Sequence, residues 1–380
     1  ALWTLGRIIG PVIGGIRSAL AASRGRGASA RPVAERDLPM GIVAVVSLLL
    51  LVPIGILLHT LIAGGALASS APALIAGSLV FVVIAGIVIA AVAGYMAGLI
   101  GSSNSPISGI GILAIVAAAL LLALFFGRDH DADTTAALVA YALIVTAVVF
   151  GVATISNDNL QDLKTGQLVG ATPWKQQVAL ICGVVFGSLV IPPVMSLLAN
   201  AFGFAGMPGA GDNALPAPQA ALISSLAQGV LGGNLNWSMI GIGGLVGAAA
   251  IALDALQMRR GGLRLPPLAI GIGVYLPMVI VLPVVIGAIL GWVYERRARR
   301  CPDPARAKRL GILTATGLIV GESLFGVVFA GLVAITGSDA PLAIVGAGYA
   351  PIGLLLGVVV FSATTAWLYR QTAKHAAARA

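Results

Sequence analysis

The sequence predicts an all-α fold: a polytopic membrane helix bundle of about eight spanning helices, with one or two re-entrant or broken segments. Three observations predict it. Of 380 residues, 59% are hydrophobic and only 9% charged, against about 25% charged in a soluble domain. The apolar residues come in runs long enough to cross a hydrocarbon core about 30 Å thick, which takes about 20 residues of helix. The basic residues, finally, gather at the ends of those runs, as the flanks of spanning helices do.

Residues 1–37 form a basic arm, expected to be cytoplasmic and too long for the charged start of a signal peptide. The chain opens "ALWTLGRIIG" without an initiator methionine, so a longer natural chain is expected. Residues 38–380 are read as one transmembrane domain. Its spans are expected at 41–63, 73–99, 107–127, 135–155, 176–201, 236–256, 310–336 and 342–369. The run 219–233 is too short to cross, and 266–293 is interrupted by Pro266, Pro267, Pro277 and Pro283. Fifty glycines and 20 prolines without a repeat of three exclude a fibrous chain. Gly94 and Gly98, Gly183 and Gly187, Gly243 and Gly247, Gly317 and Gly321, and Gly353 and Gly357 show the spacing that lets helices pack closely. Cys182, in an apolar run, and Cys301, in a basic loop, make no disulfide framework.

The net charge of +9 reflects topology rather than a nucleic-acid partner. With the arm inside and 266–293 entering and leaving on one side, 21 of the 22 basic residues face the cytoplasm; Arg128, among three aspartates, is the exception. Residues 266–293 are therefore read as a re-entrant hairpin, against a single proline-kinked span. Broken backbone at membrane depth must be buried in protein or line a wet cavity. Both ends are expected on the cytoplasmic side of a plasma (inner) membrane.

Against this background "SNDNLQDLKTGQLVGATPWKQQ", residues 156–177, is conspicuously polar. It reads as a short polar helix stopping at Gly166, with Asp158, Gln161 and Asp162 on one face and Trp174 as an interfacial anchor. A wet loop is the plainer alternative. "GSSNSPISGIG", residues 101–111, is expected on the same side; Asn104 and Ser105 there are candidates to meet substrate, or members of a capped turn. Glu322, near the middle of its span, is the candidate for proton coupling, because an ionisable group there costs at least about 2.5 kcal/mol unless paired or hydrated. The alternative is a buried glutamic acid bonded to a neighbouring helix. Asp254 lies near a span end, within reach of water or Arg259, and His59 is an interfacial residue.

"DHDAD" fails as a calcium loop, with Thr134 where glycine belongs and Ala140 at the last ligand position. "NWS" at 236 is too short a pattern to assign glycosylation. No catalytic, metal-ligating or cofactor-binding set emerges, with His59, His130 and His375 far apart in the chain.

"ISNDNLQDLKTGQLVGATPWKQQ", "GYMAGLIGSSNSPISGIGI" and "GESLFGV", in that order, resemble segments of the bacterial branch of the oligopeptide transporter superfamily, related to the plant yellow-stripe-like carriers of metal chelates. The likeness extends from "LWTLGRIIGPVIGGIRSAL" nearly to the C-terminus. It implies a secondary transporter, proton-driven, moving small peptides or peptide-like metal chelates, in a fold about twice this size. The family's N-terminal half, with its Asn-Pro-Gly motif, has no counterpart here. In such a carrier Asp158 and Asp162 would meet an ammonium or a chelated cation, Lys164 a carboxylate, and Asn104, Asn157, Asn159 and Gln161 the peptide amides. The partners expected are substrate, protons and the lipid bilayer, with a homo-oligomer left open and no nucleic acid. The rival is a membrane-embedded, magnesium-dependent prenyltransferase using "NDNLQD", which would need a second aspartate cluster facing the first; Asp129 to Asp133 is expected on the opposite membrane face.

Overall fold

The computed structural model describes residues 14, 33–100, 107–128, 130–207, 211, 214–233, 235–261, 265–338 and 340–377. They form eleven α-helices: α1 (Met40–Ile62), α2 (Ala71–Ile100), α3 (Ile107–Phe126), α4 (Ala132–Val169), α5 (Pro173–Ala201), α6 (Pro218–Leu231), α7 (Trp237–Arg259), α8 (Pro267–Tyr275), α9 (Met278–Ala298), α10 (Pro304–Thr336) and α11 (Ala350–Ala377). Eight helices among the described residues are long and apolar enough to cross a membrane, at the eight places expected. The chain is a multi-pass membrane protein.

Chain ends and caps explain the boundaries. Asp131 caps α4 by accepting the Thr134 N–H, and hydrogen bonding from the Thr134 side chain first, with the backbone N–H adding to it, holds its carboxyl below the usual carboxylate range. Asn236, the residue of the "NWS" pattern, caps α7 by accepting from Met239 N at 3.1 Å. Asp303 caps α10, with Pro304 in the first turn, where its missing N–H costs nothing. In the stretch 266–293 the helix breaks at Leu276 and Pro277, separating α8 from the 21 residues of α9.

Two boundaries differ from expectation. The polar segment after Ile155 is no separate helix: α4 runs unbroken for 38 residues, about 57 Å. Its stop is Gly170, at φ 75°, rather than Gly166. Glycine inside a helix costs only about 1 kcal/mol, and Gly166 stays helical with the Gln176 side chain packed where a Cβ would stand. The last span starts at Ala350 rather than 342, because turns and a 3-10 turn at Ala347–Tyr349 occupy the glycine-rich stretch before Pro351.

The chain divides into two compact units. The first holds residues 1–187 and 218–269, the second 188–217 and 270–380. The core of the first unit is built from α1, α2, α3, α4 and α6, around Leu58, Ile115, Leu138, Val149 and Leu231. Here α2 and α4 run parallel in a fixed register. A Cβ on Gly86 would sit 3.9 Å from Val152, Ser156 Oγ donates to Ala90 O at 3.2 Å, and a Cβ on Gly94 would lie 3.1 Å from Leu160. Residues four apart on each helix thus meet in succession, which is the ridge spacing of close helix pairs. Nearer the other end, Tyr141 donates to Ser78 at 2.9 Å.

The second unit joins α9, α10 and α11, with Ala298 and Ala307 buried together. Of the glycines expected to pack, Gly94 meets a close neighbour, whereas Gly98, Gly183, Gly243, Gly247, Gly317, Gly321, Gly353 and Gly357 have nothing within 4 Å of a Cβ among the described residues. Spacing identifies a small-residue face but not what covers it.

Gly94→Val should wedge the α2–α4 contact and cost about 1–3 kcal/mol, read as a lower melting temperature in detergent. Gly243→Ala, in open space on α7, should leave that temperature unchanged or raise it.

Candidate functional site

The polar end of α4 follows from its register against α2. The buried stripe Leu138, Ala142, Val145, Val149, Ala153 continues into Asn157, at the three- and four-residue steps of one helix face. Ala153 packs with Ala93 of α2 and Ile110 of α3. One turn further along, Asn157 is 3% exposed, and its Oδ1 is buried without a hydrogen-bond partner among the described residues. A buried acceptor left unpaired costs about 1–3 kcal/mol, so the site carries a polar atom that the described fold does not use.

Around this residue the other sequence candidates on α4 separate by face. Asp158, Gln161, Asp162 and Lys164 are exposed, and Asn159 is partly buried. At 100° per residue, Asn157, Gln161 and Lys164 share one side, Asp158 and Asp162 flank it one turn apart, and Asn159 points away. Lys164 Nζ donates to Gln167 Oε1 at 2.9 Å, leaving the two aspartates unpaired among the described residues. Asp158 and Asp162, one turn apart, can meet an ammonium, and Lys164, on a different face of the helix, a carboxylate.

Gln176 was not among the candidates. It packs on Gly166 with its Nε2 buried and without a hydrogen-bond partner among the described residues, a second such polar atom on the same polar end, here a donor. The neighbouring Gln177 secures the start of α5: its Oε1 accepts from Leu38 N at 3.0 Å and its Nε2 donates to Asp37 at 3.1 Å. Trp174 N donates to Arg36 O at 3.0 Å, and Lys175 Nζ lies 5.8 Å from the Trp174 ring centre. Within the polar run nothing distinguishes Gln176 from Gln177 except the glycine ten residues earlier that accommodates it.

Asn104 and Ser105 lie outside the described residues. Because α2 and α4 are parallel, the chain leaves α2 at Ile100 on the same end of the unit as the polar end of α4. Glu322 belongs to the second unit. It is exposed and without a hydrogen bond or ion pair among the described residues, which departs from the alternative of a buried acid. It stands 12 residues past Leu310 and 14 before Thr336, about 18 and 21 Å along α10, close to the middle of the apolar run. Asp254 is buried, and its Oδ1 accepts from Leu265 N at 3.0 Å, fastening the turn after α7. No group of three or more His, Cys, Asp or Glu able to hold a metal occurs among the described residues. Asp131 and Asp158 stand 27 residues apart on the axis of α4, about 40 Å, so carboxylates at its two ends cannot converge on one magnesium ion.

Comparison with known proteins names the class. Residues 4–333 match the family described as OPT oligopeptide transporter protein, and the chain belongs to that family. A "Putative oligopeptide transporter" of Haemophilus influenzae is 39% identical over 378 residues, 95% of this chain and 60% of that protein. A "Probable metal-nicotianamine transporter" of Oryza sativa subsp. japonica is 31% identical over 200 residues, covering 51% of this chain and 28% of the plant protein. Another so named, from Arabidopsis thaliana, is 28% identical over 209 residues, 53% of this chain and 28% of its own length. This chain therefore spans well under two thirds of these relatives. No solved structure matches it. The family and these relatives are transporters, not enzymes, and the prenyltransferase reading of "NDNLQD" finds no support.

Because Asn157 Oδ1 has no partner among the described residues, Asn157→Leu should stabilise the resting protein by up to about 1–3 kcal/mol. A melting curve in detergent checks this; a marked fall would show that the amide is satisfied in the folded state.

Proposed function

We propose that this chain is the C-terminal part of a secondary active, proton-coupled transporter that moves small peptides or peptide-like metal chelates by alternating access. The observation that carries the reading is the likeness to the bacterial relative over 95% of the chain; the plant relatives named for metal-nicotianamine support the chelate arm. The work is assigned as follows. Asp158 and Asp162 meet the ammonium or chelated cation, Lys164 the carboxylate, and Asn157, Asn159 and Gln161 the amides, with Asn104 and Ser105 on the neighbouring connection. Asn157 is the pivotal member, since its Oδ1, without a partner among the described residues, is available to accept from a substrate amide or a rearranged helix.

Glu322 is assigned the coupling proton. A carboxyl near the middle of a spanning helix is costly unless it is paired or hydrated, and Glu322 has no ion pair or hydrogen bond among the described residues, which supports this assignment. One proton descending 100 mV releases about 2.3 kcal/mol, enough for about fortyfold accumulation of a neutral substrate. The basic arm and the basic helix ends favour a plasma membrane with both visible ends in the cytoplasm, and the two stretches α8 and α9 a re-entrant passage.

The test is uptake of a peptide and metal-chelate panel into proteoliposomes under an imposed pH gradient, using the complete gene product. Glu322→Gln should abolish uphill accumulation and spare substrate exchange; undiminished accumulation would refute the coupling role. Asn157→Leu should lower uptake about tenfold, the equivalent of about 1.4 kcal/mol, with the protein still folded. Joint alanine replacement of Asp158 and Asp162 should alter selectivity, and unchanged flux and selectivity would remove this end of α4 from the substrate path.

A further inference from the structure

In the second unit α9, α10 and α11 meet at the end where basic residues collect. Tyr294 fixes that junction. Its hydroxyl donates to Ala307 O at 2.8 Å, its ring packs on Gly311 where a Cβ would not fit, and it stands 5.3 Å from the Tyr369 ring. Thr314 and Thr372 share a hydrogen bond of 3.0 Å, tying α10 to α11 about two turns below Arg306. Along this seam lies an open groove of about 750 Å³, with Arg306, Gln371 and His375 at its rim and Leu313, Trp367 and Leu368 toward its floor. Arg306 and Thr314 are eight residues apart, as are Trp367 and His375, so each wall descends about 12 Å from the charged rim.

The rim carries a basic side chain, Arg306, without an ion-pair partner among the described residues. Glu295 is taken by Lys308 at 2.8 Å and Arg299 at 4.0 Å, and Asp303 accepts from the backbone N of Arg306 at 3.0 Å. The Arg306 guanidinium has no ion pair among the described residues. His375 Nδ1 lies 2.8 Å from Gln371 O, which orients the ring at the rim.

We propose that this groove is a binding site for an anionic phospholipid, with the headgroup phosphate at Arg306 and His375 and the upper acyl chains along Leu313, Trp367 and Leu368. A basic pocket between spanning helices is the arrangement that recognises anionic headgroups. The gradient from charged rim to apolar floor selects a lipid over a free anion, which would use the rim alone. The unneutralised charge selects an anionic lipid over a zwitterionic one.

Native mass spectrometry of the intact protein, offered equal phosphatidylglycerol and phosphatidylcholine with identical acyl chains, tests this. Phosphatidylglycerol should be retained preferentially, and Arg306→Gln should cut that preference about fivefold, the equivalent of about 1 kcal/mol for one basic side chain at an anionic surface. Arg259→Gln, in the first unit, should leave it unchanged. Leu313→Trp, which fills the floor without altering charge, should release the lipid. Excess inorganic phosphate should not displace it; displacement would mark a free-anion site and overturn the proposal. Wild-type retention in Leu313→Trp overturns it as well, whether or not Arg306→Gln folds.

Discussion

The close, parallel packing of α2 on α4 is the contact on which the first unit depends. Between helices in lipid there is no hydrophobic driving force, so the quality of van der Waals contact and a few hydrogen bonds decide association. Gly86, Ala90 and Gly94 present small residues at four-residue intervals, and Val152, Ser156 and Leu160 fill the space they leave. That register turns Asn157 inward and Asp158 and Asp162 outward. It also brings the end of α2 to the polar end of α4, although nearly 60 residues of chain and a third helix separate the two.

Much of the fold was legible because lipid is a demanding solvent. A run of about 20 apolar residues has one stable backbone there, and all eight runs became helices. What escaped was the extent of α4. Hydropathy falls at Asn157, but nothing in "NDNLQDLKTG" breaks a helix, and a mean apolar pattern does not register where water begins. Gly166 and Gly170 look alike as letters; the left-handed φ of Gly170 and the side chain resting on Gly166 tell them apart.

The site was legible as a neighbourhood rather than as an arrangement. Six polar residues between 157 and 164 invited equal attention, yet burial singles out Asn157, and the depth of Asn157 follows from the α2–α4 register, not from composition. Gln176 gave no sequence signal beyond its amide. Glu322 could be placed near the middle of a helix by counting, whereas its exposure depends on which faces of α10 other helices cover.

The uninterrupted length of α4 has a mechanical consequence. One stiff rod carries Tyr141, bonded to Ser78 beside a cleft of about 500 Å³, and 17 residues later the first of the exposed carboxylates. With no proline and no break to absorb bending, a 5° tilt swings one end of its length by about 5 Å relative to the other. The two ends of α4 are thereby linked mechanically, so that a displacement at one is carried along the rod to the other.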